Sequence, residues 1–168
     1  MSLSVRTLVS LAAELTSALD LTTVSSPVSI GRQINFADGD GAGEADRIWT
    51  NRSTIAASGT DSLDLAGSLT DPFGASLSFG SIKGVLVAAD SANTNNVVVS
   101  RPATNGVPLI SAVSAGVPVK PGGVFLWLDP SAAGVAVTAG TGDLLSLVNS
   151  AAGSSVTYDI AIIGVAAS

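Results

Sequence analysis

Four carboxylates fall within one short run, Asp38-Gly-Asp40-Gly-Ala-Gly-Glu44-Ala-Asp46. Counted from Asp38, they occupy positions 1, 3, 7 and 9 of a glycine-rich loop, a spacing that resembles oxygen donors around calcium. Gly39, Gly41 and Gly43 would let the backbone wrap around a hard cation. The resemblance is partial. Position 6 is Gly43, as an EF-hand loop requires, but position 12 is Trp49, which cannot ligate. The same residues also read as an acidic surface turn, with Arg47 paired to one of the acids. Asp38, Asp40, Glu44 and Asp46 are thus a calcium candidate set beside a plainer alternative.

Little other chemistry is open to this chain. It contains no histidine and no cysteine, which removes the usual base at neutral pH, thiol nucleophiles and Cys/His metal sites. A serine triad loses its customary partner. Neither lysine sits in a Ser-x-x-Lys pair, because Gly80 precedes Lys83 and Val117 precedes Lys120 at that spacing. Asp61 with Asp64, or Asp129 with Asp143, are nominal carboxylate pairs for glycoside hydrolysis, although solvated turn acids explain them equally. Gly140-Thr-Gly-Asp143 lacks the Lys-Ser or Lys-Thr of a phosphate loop. The expectation is a non-enzymatic protein without a cofactor.

Composition points the same way. With 168 residues, the chain suits one domain with a substantial core. Its net charge of −6 and lack of a basic patch oppose nucleic-acid binding. No apolar run is long enough to span a membrane as a helix, and Glu14 interrupts the apolar stretch from Leu8 to Leu19. From Gly84 to Ser168 the ionisable side chains are only Asp90, Arg101, Lys120, Asp129, Asp143, Tyr158 and Asp159. Strands this poor in charge suggest a surface covered by neighbouring protein.

The elements that must position these residues read mostly as strands. Ser4 to Leu19 is the exception. Val5, Leu8, Ala12, Leu15 and Leu19 recur at three- and four-residue spacing, which predicts a short amphipathic helix. β-branched Thr7, Val9 and Thr16 lower its helix propensity, so an extended arm over residues 1–22 is the alternative. Its apolar stripe would pack on the chain's own sheet or dock on a partner through Leu8, Leu15 and Leu19. Val28, Ile30, Ile34 and Phe36 then alternate as a half-buried strand. Further strands are expected over Leu77–Ala88, Val97–Val99, Val124–Leu128, Val135–Val137, Leu144–Val148 and Val156–Ile162, separated by Gly, Pro, Asn and Ser turns. The expected fold is all-β: an antiparallel β-sandwich or jelly roll over residues 23–168, preceded by the helix or arm. Trp127 is expected in the core, and Trp49 either there or as an interface anchor.

Three stretches resemble small β-rich virion proteins of tailed bacteriophages. They are Gly41-Ala-Gly-Glu-Ala-Asp-Arg-Ile48; Asp64-Leu-Ala-Gly-Ser-Leu-Thr-Asp71 leading to Ile82-Lys-Gly-Val-Leu86; and the segments from Pro121-Gly-Gly through Ala136-Val-Thr-Ala-Gly-Thr141 to Tyr158-Asp-Ile-Ala-Ile-Ile-Gly164. The resemblance is to head-decoration, or cement, proteins. It implies a homotrimer made in the host cytoplasm, bound to the major capsid protein on the outside of the head and stabilising the shell. A tail tube, tail-tip, adhesion or head-fibre component is the nearest alternative, and a carbohydrate-binding module a more distant one.

Overall fold

Period-two alternation, interrupted by glycine turns, carries almost the whole chain into strands. The computed structural model describes residues 2–167, which are all-β. Its strands are β1 (Val5–Ala18), β2 (Thr23–Phe36), β3 (Arg47–Ile55), β4 (Thr60–Asp64), β5 (Leu69–Thr70), β6 (Ser76–Leu77), β7 (Phe79–Ala89), β8 (Val97–Ser100), β9 (Gly116–Val119), β10 (Val124–Leu128), β11 (Val135–Ala136), β12 (Leu144–Asn149) and β13 (Val156–Ala166). One sheet runs β10-β7-β13-β3, with β11 also paired to β7; the other runs β4-β12-β8-β9. Pairing between these strands is antiparallel throughout.

The two sheets share one apolar core and form the body of the molecule. Val85, Val87, Ile160 and Ile162 from the first sheet cluster with Val97, Val99, Leu145 and Leu147 from the second. Strict alternation places these residues inward, and their neighbours along each strand point out. Phe125 and Trp127 pair with Val87 and Val85 and lie half-buried against the same cluster. Trp49 is 7% exposed and belongs to this core, so its ring is covered by its own chain and is not presented as an interface anchor.

The N-terminal segment differs from the helix that its three- and four-residue spacing predicts. β1 and β2 form a two-stranded antiparallel hairpin with fourteen register pairs, from Val5↔Phe36 to Ala18↔Thr23. The physical reason is visible in the residues. Val5, Thr7, Val9, Leu11 and Leu15 also share period two, and β-branched side chains suit a pleated strand better than a helix. Pairing with the alternating β2 satisfies the backbone groups facing it, an option that inspection of β1 alone does not reveal. The hairpin extends past residue 22, because β2 forms its second leg.

Candidate functional site

The hairpin's geometry sorts its side chains into two unlike faces. Directly paired residues on antiparallel strands share a face. One face therefore carries Val5, Val9, Leu11, Ala13 and Leu15 from β1, with Val24, Val28, Ile30, Ile34 and Phe36 from β2. Arg32, opposite Val9, is its only charged residue. The other face presents Arg6, Ser10, Glu14 and Thr16 opposite Asn35, Gly31, Pro27 and Ser25. Leu8 is the sole large aliphatic residue there. At the tip, the Leu19 N–H donates to the Thr22 carbonyl at 2.7 Å, closing a loop that exposes Leu21 almost completely.

Only the base of this arm is packed. Phe36, 1% exposed, joins Ala45 and Ile163 in a second apolar cluster, with Val5, Ile34, Leu3, Ile48 and Leu128 against it. Beyond Thr7 and Ile34 every residue of the arm is exposed. That includes the apolar face, where Leu15 is 78% and Ile30 59% exposed. Of the residues expected at an interface, Leu15 lies on the apolar face, Leu8 on the polar one and Leu19 in the tip. All three are exposed, but a ribbon does not gather them into the single stripe that a helix would.

The acidic loop anchors the arm. Asp38 Oδ1 accepts the Leu3 N–H at 2.9 Å, while Ala37 donates to the Gly43 carbonyl and Ala45 donates back to Ala37. Glu44 Oε2 accepts the Gly41 N–H at 2.8 Å. Gly39 has a φ of 147°, and a Cβ there would strike the Glu44 carboxylate, so the tight loop requires glycine at that position. Asp46 Oδ1 accepts the Ala166 N–H at 2.8 Å and its Oδ2 meets Arg47 at 3.3 Å. These contacts correct the calcium expectation. The carboxylates of Asp38, Glu44 and Asp46 accept backbone N–H groups from Leu3 ahead of β1, from Gly41 in the loop itself and from Ala166 on β13. Among the described residues no three acidic, histidine or cysteine side chains, Asp40 included, gather to hold a metal ion.

Lys83 completes the anchor, and no motif in the sequence marks it. It lies on β7 with no exposed surface. Its Nζ donates to the carbonyls of Gly41 at 3.1 Å, Ser131 at 2.5 Å and Ala132 at 2.8 Å. A buried ammonium is costly unless hydrogen-bonded, and here three carbonyl dipoles meet it. One side chain thereby ties the acidic loop and the 131–132 turn to the body. The one available signal is a lone lysine amid the otherwise apolar and small residues of that strand.

A second polar cluster spans the two sheets. Tyr158 on β13 donates its O–H to Asp61 Oδ2 on β4 at 2.6 Å, and Ser53 on β3 donates to the same oxygen at 2.9 Å. Burial, reinforced by the hydrogen bond and charge of Asp61, pushes the Tyr158 hydroxyl well above its ordinary pKa. Beside it lies an open depression of about 310 Å³ lined by residues 53–56 and 59–61. The first nominal acid pair does not assemble. Asp61 and Asp64 are three residues apart on one strand and so face opposite ways. Asp129 and Asp143 each accept a nearby turn N–H, from Ser131 and Gly140.

A groove of about 520 Å³ opens at the arm's base. Leu3, Ile48, Pro72, Phe73 and Leu77 contribute its apolar lining, and the Phe73 ring is largely exposed. Comparison of the chain with protein-family models, curated proteins and solved structures gives no match.

Proposed function

We propose that this protein is a non-enzymatic structural subunit of a virion, and specifically a cement protein that binds the outside of a tailed-phage head. In this reading the body is a β-sandwich that sits on the shell, and the hairpin arm is an association element. One observation carries the proposal: a long ribbon with a largely apolar face, exposed beyond its base, projects from a body that already has its own core. Exposed apolar surface of that extent marks a site of association, and a two-stranded ribbon needs packing support to persist in water.

Other features support a scaffold in preference to a catalyst or a sugar-binding module. Asp38, Glu44, Asp46, Asp61 and Asp64 use their hydrogen bonds to hold backbone or side chains in place. Among the described residues Phe73 is the one aromatic in the set of exposed large apolar side chains, so no row of rings offers itself to a carbohydrate. Partners in this reading are the major capsid protein and further copies of the chain. An electron-microscopy map of the native virion tests the proposal. Density for the two-sheet body on the outer head surface is the expected result, and absence of the chain from purified virions would overturn it.

A further inference from the structure

We infer that the occupant of the arm's free apolar face is the arm of a second copy, packed face to face and antiparallel. This deepens the association role proposed above and rests on it. The first support is the arm's need for a cover. A two-stranded hairpin is marginally stable at best on its own in water, so the arm gains order when its apolar face is covered. Another copy is the one chain that always accompanies it, in equal amount.

Area is the second support. Val9, Leu11, Leu15, Val24, Val28 and Ile30 are 47–78% exposed. At about 100 Å² of exposed surface each, they offer roughly 600 Å² per copy. If wholly covered, two such faces would bury about 1,200 Å² together, the lower limit of specific, stable interfaces. Packed at the usual separation of about 10 Å, the two ribbons form a small two-layer sandwich with a dry interior.

Charge and shape fix the direction. Arg32 is the face's only charge, at the Val9 register position. Parallel arms would set Arg32 of each copy against its equivalent, a like-charge contact with nothing to offset it. An antiparallel pair centred on Ala13↔Val28 avoids this. Arg32 lies four positions from that centre, and the Ser17↔Val24 pair lies four positions beyond it. Each Arg32 then meets the other arm near its tip, where Asp20 supplies the opposite charge. The same arrangement carries the exposed tip residues Leu19 and Leu21 towards the other copy's arm base, where the groove with Phe73 opens. Leu3 and Ile48 line that groove and also pack in the cluster beneath the arm.

The chain has no cysteine, so single engineered thiols report on this contact without background. With a short bismaleimide, the Ala13→Cys chain is expected to give a covalent dimer, and Ala12→Cys, on the polar face, is expected to stay monomeric. Arg32→Cys mixed with Ser17→Cys is expected to cross-link, while Arg32→Cys alone does not. In sedimentation, Leu11→Glu is expected to weaken self-association at least tenfold and Ser29→Glu, on the polar face, to leave it unchanged. No cross-link at Ala13→Cys, equal cross-linking at Ala12→Cys, or self-linking of Arg32→Cys would overturn the antiparallel pairing. If Ala13→Cys fails to link but the protein still occupies virions, the pairing falls and the structural role stands. If Ala13→Cys links but the chain is absent from virions, the pairing stands and the virion role falls.

Discussion

The arm and the body are written in the same residues and end in opposite states. In β13, Val156, Tyr158, Ile160 and Ile162 alternate and are almost wholly buried. In the arm, Val9, Leu11 and Leu15 alternate in the same way and remain about half exposed or more. The local pattern is equivalent. What differs is that β13 meets a second sheet within its own chain, whereas the arm's apolar face meets one only at its base. Burial of an aliphatic side chain contributes about 1.5–3 kcal/mol, so the body collects that stabilisation on folding and the arm collects it only on association.

The largest effect that can break this contrast comes from truncation on both sides of it. Leu147→Ala in the shared core is expected to cost about 3 kcal/mol, and Leu15→Ala in the arm less than about 0.5 kcal/mol in unfolding of the body. Both tryptophans, Trp49 and Trp127, lie in the body, so urea titration followed by their fluorescence reads the body alone. Equal losses would show that arm and body fold as one unit.

Lys83→Met sharpens the boundary between the two regions. It keeps most of the side-chain volume but leaves three carbonyls without their donor, and about 2 kcal/mol of body stability is expected to go with it. Amide exchange at Ala37 and Ala45, which hold the arm's base, is expected to accelerate. Unchanged exchange there would mean that Lys83 does not anchor the arm.

A smaller effect tests the tie between sheets. Tyr158 keeps its proton in the folded state to higher pH than in the unfolded chain, because burial and Asp61 oppose its ionisation. Its contribution is complete below the ordinary tyrosine pKa of about 10 and is lost as pH rises above that value. Tyr158→Phe is expected to cost about 1–2 kcal/mol at neutral pH and to remove this part of the alkaline loss. Tyr158 is the chain's only tyrosine, so its ultraviolet ionisation signal is unambiguous. Titration near pH 10 without unfolding would contradict the buried hydrogen bond. The smallest effect belongs to the acidic loop. Calcium is expected to give no calorimetric heat and no rise in Tm, since three of the four carboxylates already accept backbone N–H groups; a saturable heat lost in Asp40→Asn would restore an ion site.

Much of the body is legible in the sequence because each strand there carries its own period-two signal and glycine turns. The expected strands at Val97, Val124, Leu144 and Val156 all occur. The arm is legible only in half. β2 alternates openly, but in β1 Leu8 and Ala12 complete a false helical stripe with Val5, Leu15 and Leu19. Pairing to a strand on the far side of a turn decides the matter, and that is a long-range property. The acidic loop misleads for a related reason. Spacing along the chain resembles a ligand set, yet Asp38, Glu44 and Asp46 each hold a different backbone N–H, that of Leu3, Gly41 or Ala166. Lys83 and the Tyr158–Asp61 contact depend on residues 42 to 97 positions apart, which no local pattern announces.

The central claim is that the arm is stable only against another protein surface. Amide hydrogen exchange across a dilution series measures this most directly, because protection reports local opening and association shifts with concentration. Arm amides over residues 8–31 are expected to lose protection on dilution while those of β7, β12 and β13 keep theirs. Arm protection that stays constant down to a concentration where sedimentation shows a monomer would contradict the claim.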